Sequence, residues 1–315
     1  MTSSSKILTV TLNPAIDVAT SVAELTHEHK LRCAAVQRDP GGGGVNVARV
    51  LARFDVDCRA LYMAGGFLGR LLQRLLAQDG VRSIPIEVDA ETRESFTVLD
   101  RSSGREYRFV LPGPSLEASQ WRACLDRVAA IEPVPDWLVA SGSLPPGVPD
   151  DFYARLARIA REQGSRMVLD ASGPALAAAL DEGVHFVKPN LREMRELTGE
   201  PLETEDSWVS AAARIVDEGK AEIVALTLGH RGALLVADGR RLRAEAIPVA
   251  IAGTVGAGDS FVASFLARLA AGAGIDEAFR YGVAGGTAAL LEAGTSLASP
   301  DEVERLARLV ELRET

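Results

Sequence analysis

The stretch Gly253-Thr-Val-Gly-Ala-Gly-Asp259-Ser-Phe261 decides the fold and the candidate chemistry of this chain. Its three glycines precede apolar residues at helical spacing, which predicts a loop that opens a long helix over residues 256–271. Backbone N–H groups of such a loop and of the helix N-terminus point into one concavity, which suits an anion. Asp259 adds a carboxylate there, and this pairing suits phosphoryl transfer to a hydroxyl, with the carboxylate as base. An Asp in the first helical turn is also an ordinary cap, and that interpretation stays open.

Short apolar strands alternate with helices along the rest of the chain. The predicted strands end at polar residues and cover 7–12, 137–140, 167–169, 186–187 and 223–228. The predicted helices cover 45–54, 68–78 and 152–163, the last closed by Gly164. This alternation predicts an α/β fold with a doubly wound, mostly parallel sheet flanked by helices. In such sheets ligands bind beyond the carboxyl ends of the strands, which is where the polar motifs fall.

Two stretches break this alternation. Residues 14–40 contain several β-formers, and residues 95–110 alternate around Arg101-Ser-Ser-Gly104 as a hairpin does. We predict that both form strands of a small β lid, inserted twice into a large domain of residues 1–13, 41–94 and 111–315. On such a strand Lys30 and Arg32 share a face, because they lie two residues apart. Apolar residues on the outer face of the lid predict an isologous dimer through this sheet.

The composition argues against several classes of protein. The chain has 315 residues, of which 47% are hydrophobic, and its 34 basic against 43 acidic residues give a formal net charge of −9. That balance argues against nucleic-acid binding, and the apolar runs are too short to span a membrane. Three cysteines without CxxC spacing predict neither a disulfide framework nor a zinc site. Residues 1–6 show no secretory signal, so we expect a protein of the reducing cytoplasm.

Three further motifs lie at predicted strand ends. The glycines 41–44 precede Asn46, which indicates close approach of the backbone to a ligand, with a flexible turn and cap as the alternative. Asp17 places a carboxylate just past the first strand, where an Asp in a turn is also common. Asn190 and Glu193 lie on one face of a first helical turn, a spacing that a capping box also explains. The chain has no GxxxxGK[ST] and no GxGxxG, which argues against a P-loop enzyme and a dinucleotide-dependent oxidoreductase.

Taken together, these residues resemble the ribokinase-like (PfkB) carbohydrate kinase family from Thr9 to about Thr295. The segment 41–46 is similar to the N-terminal signature of that family, and Asp170 with 254–259 is similar to its C-terminal signature. Four segments are similar to the phosphosugar branch of the family: Thr11–Asp17, Lys30–Arg32, Ser141–Gly147 and Lys188–Asn190.

The resemblance implies ATP-dependent phosphorylation of a ketohexose phosphate. The four glycines, Lys30–Cys33 and Tyr107–Val110 are most similar to the members that convert fructose 6-phosphate to fructose 1,6-bisphosphate. Asn13-Pro14 is closer to the members that act on fructose 1-phosphate or tagatose 6-phosphate, which stay as alternatives. A non-catalytic sensor of sugar phosphate and nucleotide is the alternative of a different class, and the intact Asp259 argues against it.

The resemblance also implies roles for individual residues. The base would be Asp259, and the anion hole would consist of Gly256, Ala257 and Gly258. The sugar would be held by Asp17, Gly42, Gly43, Asn46, Ser143 and Asp259. The phosphate of the sugar would be held by Lys30, Arg93 and the Arg32 of a neighbouring subunit. The nucleotide site would be lined by Lys188, Asn190, Thr227, Gly229, Gly232, Gly256, Gly258 and Thr287.

Two cations are implied together with ATP. Asn190 and Glu193 would hold a magnesium ion through water, because Mg²⁺ usually keeps several waters in proteins. A potassium site is implied near Gly253, Val255, Ala289 and Gly294. At the end of that site relatives carry Asn and Arg, whereas this chain carries Glu292 and Ser296.

Overall fold

The computed structural model of the chain describes residues 6–292 and 294–315. Residues 1–5, on which most of the expectation about a secretory signal rests, lie outside the described residues. The strands, in chain order, are β1 (Ile7–Thr11), β2 (Ala15–Val22), β3 (Gln37–Gly41), β4 (Cys58–Ala64), β5 (Arg82–Glu87), β6 (Arg93–Asp100), β7 (Arg105–Val110), β8 (Trp137–Ser141), β9 (Arg166–Asp170), β10 (Val184–Val187), β11 (Ala221–Thr227), β12 (Ala233–Ala237), β13 (Arg240–Ala244) and β14 (Leu312–Glu314). The helices are α1 (Gly43–Arg53), α2 (Gly66–Gln78), α3 (Ala118–Ala129), α4 (Phe152–Gln163), α5 (Gly173–Glu182), α6 (Leu191–Thr198), α7 (Glu205–Asp217), α8 (Ala257–Ala270), α9 (Ile275–Leu290) and α10 (Pro300–Ala307), with one 3-10 turn at Gly229–Arg231.

The larger sheet has the strand order β14-β13-β12-β11-β10-β9-β8-β1-β4-β5. The neighbours from β11 to β5 pair in parallel, and β12, β13 and β14 extend the other edge in antiparallel fashion. Strands such as β1 and β8 are buried along their whole length, because helices cover both faces of the sheet. The predicted doubly wound, mostly parallel sheet is therefore confirmed.

Two apolar layers attach the helices to the faces of this sheet. On one face, Phe265 of α8 stacks on Phe186 of β10 with ring centroids 4.6 Å apart. Phe261, one turn earlier in α8, packs directly over Gly282 of α9. These contacts fix the first turn of α8, and so Asp259, close to the carboxyl ends of the central strands. No helix in the described part of the chain has the length and apolar character that a membrane span requires.

The smaller sheet has the strand order β3-β2-β6-β7 and corresponds to the predicted lid. β2 pairs in parallel with β6, and β6 turns back into β7 through residues 101–104, as the alternating pattern predicted. β3 runs to Gly41 and β6 begins at Arg93. Strands β3 and β6 of the lid therefore extend slightly into segments that the sequence assigned to the large domain.

The strand expected around Lys30 and Arg32 is wrong. Residues 23–36, between β2 and β3, form neither helix nor strand, and both side chains are exposed. Polar residues replace the apolar alternation of a strand there, and Glu28 takes the left-handed conformation with a φ of 63°. The spacing of Lys30 and Arg32 therefore does not place them on one face of a strand.

The glycine-rich stretch is more regular than the flexible turn that stayed open as an alternative. Gly41 ends β3, Gly42 caps α1 with a φ of 109°, and Gly43 is the first residue of the helix. A residue with a side chain rarely adopts such a φ, so Gly42 allows the strand to turn directly into the helix. Helix α1 consequently begins two residues before its predicted start. Helix α2 also begins two residues early, and α4 has the predicted bounds.

Candidate active site

A cavity of about 250 Å³ opens between the large sheet and the lid, beyond the carboxyl ends of β8 and β9. It brings together many of the predicted site residues: Asp17, Gly42, Gly43, Asn46, Arg93, Ser143, Glu193, Val255, Gly256 and Asp259. Its other lining residues are Arg108, Ser141, Gly142, Asp170, Ala171 and Ser172. The cavity therefore lies where ligands of doubly wound sheets bind.

Asp259 is directed into this cavity from the first turn of α8. Its Oδ2 accepts a hydrogen bond of 2.8 Å from Asn46 Nδ2 on α1, a residue far away in the chain. Burial, and then the negative charge of Asp170, raise the pKa of Asp259 from 3.8 to about 7. The bond from Asn46 and the charge of Lys188 partly oppose that rise. A carboxylate with such a pKa can accept a proton near neutral pH, as a general base must.

A positive charge lies beside the glycine loop that precedes Asp259. Lys188 is 4% exposed at the end of β10, and its Nζ lies 3.1 Å from Asp170 Oδ1. Burial opposes its charge, but the carboxylates of Asp170 and Glu193 outweigh that effect and raise the pKa of Lys188. A Cβ on Gly258 would lie only 3.3 Å from that Nζ. The glycine therefore keeps open the space between the loop and the ammonium group, where an anion fits.

Two arginines, Arg93 and Arg108, line the cavity on the side of the lid. Arg93 begins β6 and donates to the carbonyl oxygens of Asn13 and Leu111, both at 3.1 Å from its guanidinium nitrogens. Burial lowers the pKa of Arg93, and it raises the pKa of Asp17, whose charge Arg108 and Arg93 in turn favour. The guanidinium groups and Asp17 thus form a polar wall that can bind both an anionic group and hydroxyls.

Arg108 was not predicted from the sequence. The signal for it was present, because Arg108 alternates with Tyr107 and Phe109 along β7 and must point away from both. Asp170 was noted only as part of a signature, although it pairs with Lys188 and faces Asp259. Asp170 meets Lys188 because β9 and β10 are neighbours in the sheet. The spacing of residues along the sequence does not predict which strands become neighbours.

Asn190 and Glu193 form the capping box that the sequence left open. The N–H of Glu193 donates to Asn190 Oδ1 at 2.9 Å, and the N–H of Asn190 donates to Glu193 Oε2 at 2.8 Å. Burial raises the pKa of Glu193, whose carboxyl group nevertheless reaches the cavity. Within the described residues no cluster of three His, Cys, Asp or Glu side chains can ligate a metal directly. The oxygen donors present fit a divalent ion that keeps its waters.

The predicted phosphosugar contacts Lys30 and Arg32 are not brought to this cavity. Both lie in the exposed segment 23–36 and are absent from the residues that line the pocket. Their predicted roles therefore need either a movement of this segment or a second copy of the chain.

Of the eight predicted nucleotide residues, Gly256 lines this cavity, whereas seven do not: Lys188, Asn190, Gly258, Thr227, Gly229, Gly232 and Thr287. Thr227 ends β11 and bridges to Asn190, so it lies beside the capping box. Gly229 begins the 3-10 turn, and Gly232 packs so closely on β13 that no Cβ fits. Thr287 is buried in α9 and donates to a carbonyl oxygen of its own helix at 2.8 Å. The contact of these residues with a nucleotide stays a prediction.

Gly253 and Gly294, two of the predicted potassium residues, lie close together beside the loop before α8. A Cβ on Gly253 would lie 2.7 Å from the carbonyl oxygen of Glu292 and 3.6 Å from that of Gly294. Val255 lines the cavity, and Ala289 is buried in α9. Two backbone carbonyl oxygens therefore lie near this position, and such oxygens are donors that suit an alkali cation.

Comparisons with known proteins agree with this geometry. The chain matches the pfkB family carbohydrate kinase model over residues 9–302. It is 42% identical over 304 residues to the ATP-dependent 6-phosphofructokinase isozyme 2 of Mycobacterium tuberculosis, which covers 96% of this chain and 89% of that protein. It is 41% identical over 302 residues to the Escherichia coli protein of the same name, with 96% and 97% covered.

Solved structures give the same result. Phosphofructokinase-2 from Escherichia coli, in complex with potassium, superposes with a TM-score of 0.92 at 40% identity over 97% of this chain and 99% of that chain. Ribokinase from Arabidopsis thaliana superposes with a TM-score of 0.75 at 21% identity, a likeness of fold alone. Because the family match and the identity both extend over nearly the whole sequence, the chain belongs to the PfkB family of carbohydrate kinases.

Proposed function

We propose that this kinase transfers the terminal phosphoryl group of ATP to fructose 6-phosphate and forms fructose 1,6-bisphosphate. The observation that carries the proposal is the placing of the buried Asp259 between an anion-binding loop and a wall of two arginines. The relatives named 6-phosphofructokinase isozyme 2, at 41–42% identity, support the choice of acceptor. A solved Escherichia coli relative at 39% identity is a complex with fructose 6-phosphate.

The proposed reaction uses Asp259 as the base. Its carboxylate takes the proton of the free primary hydroxyl of the sugar, while that oxygen bonds to the terminal phosphorus of ATP. The bond from this phosphorus to ADP breaks, and ADP leaves with the electron pair. N–H groups of Gly256, Ala257 and Gly258 stabilise the charge on the transferred group, with Lys188 beside them.

The proposed acceptor is recognised at both of its ends. Arg93 and Arg108 bind the phosphate that the sugar already carries, because guanidinium groups match phosphate oxygens well. Asp17 accepts hydrogen bonds from sugar hydroxyls. The remaining sugar contacts lie on the same side of the cavity and are Gly42, Gly43, Asn46 and Ser143.

Membership of a kinase family implies ATP and a divalent metal ion, and we propose magnesium for the latter. Asn190 and Glu193 would hold it through waters, and the ion supplies neutralisation of the phosphate charge. We also propose potassium beside Gly253, where the carbonyl oxygens of Glu292 and Gly294 face the loop. Initial rates in potassium against sodium chloride test that site, and equal rates in the two salts would remove it.

The nearest alternative is the same chemistry on another acceptor. The chain is 33% identical to the 1-phosphofructokinase of Bacillus subtilis over 90% of its length, and Asn13-Pro14 favours that group. A panel of fructose 6-phosphate, fructose 1-phosphate, tagatose 6-phosphate and fructose, each with ATP and magnesium, separates these activities. We expect the highest kcat/KM for fructose 6-phosphate. A higher value for another sugar phosphate would replace the proposed acceptor, and binding without ADP formation would favour a sensor.

We further propose a homodimer through the lid. Apolar side chains are exposed on and beside the lid strands, with Phe109 at 51%, Val110 at 58% and Val36 at 45% exposure. A solvent-facing apolar group of this kind favours an interface between copies. The Arg32 of one copy would then serve the cavity of the other, since in the single chain it lies outside its own cavity. One relative forms a tetrameric inhibited state, so larger assemblies occur on this fold.

A further inference from the structure

Arg49 is a charged side chain that the proposed reaction does not use. It lies on α1 and is only 3% exposed, which is unusual for arginine. Its Nε donates to Asp79 Oδ2 at 2.6 Å, and its Nη1 donates to the carbonyl oxygen of Pro40 at 2.8 Å. Asp39 Oδ1 lies 3.6 Å from its Nη2. The guanidinium group thus joins the end of β3 to the C-terminal end of α2.

The same guanidinium group also faces the residue that contacts the base. Arg49 Nη1 lies 3.4 Å from Asn46 Oδ1, because the two residues are three apart on one helix. The other end of that amide, Nδ2, donates to Asp259 at 2.8 Å. A rotation of the amide by 180° would set its oxygen against the carboxylate and its NH₂ against the guanidinium. Both of these contacts are repulsive, so Arg49 favours the amide orientation that serves Asp259.

We propose that Arg49 is a positioning residue that fixes the Asn46 amide toward Asp259 and, through Pro40, holds the end of the lid strand beside the same site. The second contact matters because Gly41, the next residue along β3, packs directly against the carboxylate of Asp17. One buried cation therefore sets the position of a proton acceptor and of a sugar-binding carboxylate. This inference rests on the proposed role of Asp259 as the base.

The test compares Arg49→Lys with Arg49→Met. Lysine keeps a charge beside Asp79, but one ammonium group cannot reproduce the planar fork whose Nε reaches Asp79 while its Nη1 reaches Pro40 and Asn46. We expect kcat of Arg49→Lys to fall by roughly 10- to 100-fold, the range for a misplaced catalytic group, with little change in KM for ATP. Arg49→Met also removes the positive charge beside Asp79 and Asp39, so Arg49→Lys is the readout where Arg49→Met fails to fold.

The pH profile separates positioning from a general loss of structure. Four groups face Asp259: Asp170 from β9, Lys188 after β10, Asp17 from β2 and Asn46 from α1. Of these, Asn46 is the one that Arg49 contacts directly and that donates a hydrogen bond to Asp259. We therefore expect the acid limb of kcat/KM in Arg49→Lys to move upward by about one pH unit, the usual effect of losing one hydrogen bond to a carboxylate. In an Asn46→Ala background the same substitution should add no further shift.

Arg53→Lys is the matched control. Arg53 lies one turn later on α1 and donates to backbone carbonyl oxygens of Leu297 and Ala298, with no contact to Asn46. We expect its acid limb to match that of the wild type. An unshifted limb in Arg49→Lys, or an equal shift with and without Asn46, would overturn the positioning role. Normal turnover of Asp259→Asn would instead overturn the proposed base, so the two failures are distinguishable.

Discussion

Asp259 combines a buried position with a charge that the reaction requires. Its pKa is about 7 in the folded chain against 3.8 as the ordinary value, so the folded state binds the proton more tightly. The resulting stability is fully present below about pH 3.8 and is lost as the pH rises through 7. At pH 8 the ionised carboxylate therefore destabilises the fold, which is a cost that an active site tolerates.

The raised pKa of Asp259 predicts how the stability of Asp259→Asn depends on pH. We expect its Tm to exceed that of the wild type at pH 8, and the difference to shrink toward pH 4, because the amide removes the buried charge. Thermal unfolding at several pH values measures the difference. Asp126→Asn, at an exposed position of α3, is the control and should show no such trend. A Tm difference that does not change with pH would contradict the raised pKa.

Arg93 tests recognition of the phosphate. We expect Arg93→Ala to raise KM for fructose 6-phosphate by roughly 10- to 100-fold, the value of a charge-assisted hydrogen bond, with KM for ATP nearly unchanged. Steady-state kinetics in both substrates give the two constants. Arg105→Ala, at the far end of β7, serves as the control because its side chain is exposed. Equal changes in both KM values would remove Arg93 from the phosphosugar site.

The sequence pointed to residues of the cavity where their own segment carries the signal. Asp259, Asp17 and Asn46 follow strands or glycines in the sequence, and the cavity contains all three. Arg49 was missed, because its importance comes from contacts between α1, α2 and β3. Such contacts follow from packing, which no local spacing reveals.

The first turn of α6 serves both the fold and the proposed site. Glu193→Gln keeps a carbonyl oxygen for the N–H of Asn190, so the capping box should persist and Tm should change little. The loss of charge should raise the free magnesium needed for half-maximal rate. A magnesium titration measures this requirement, with Glu196→Gln on the same helix as the control. An unchanged requirement would leave Glu193 with the capping role alone.

Elements were predicted from periodicity, and their ends depended on glycine. Helix α4 has the predicted bounds because Gly164 closes it in the left-handed conformation, with a φ of 73°. Helix α1 begins early because Gly42 turns the chain before the apolar pattern starts. The segment 23–36 was the main error at this scale, since no apolar alternation supported the strand there.

At the scale of the whole molecule, the proposed role of Arg32 depends on a second copy of the chain, because Arg32 does not line the cavity of its own chain. If the active form is a dimer, mixing Asp259→Asn with Arg32→Ala after dissociation creates one site with an intact base and the partner's Arg32. We expect activity to return in part, which rate measurements on the mixture detect. No recovery in proven mixed dimers would contradict the trans role of Arg32. A fully active monomer would contradict the need for a dimer.

The architecture itself was predictable from the sequence. Alternation of strands and helices, with polar residues at the strand ends, gave the parallel sheet and the edge where the cavity lies. The antiparallel edge of β12, β13 and β14 was not predicted, because strand order depends on pairings between distant segments. The position of Arg93 and Arg108, on two strands of the lid, at the cavity likewise follows from tertiary packing.

The most direct test of the proposed chemistry is the turnover of Asp259→Asn with fructose 6-phosphate and ATP. The amide preserves the shape of the carboxylate but cannot take the proton of the hydroxyl. We predict that kcat falls by about 10²–10⁴-fold, the usual effect of removing a general base, while calorimetry shows nearly unchanged binding of both substrates. Near-normal turnover of Asp259→Asn would contradict the assignment of Asp259 as the base and leave it as a helix cap.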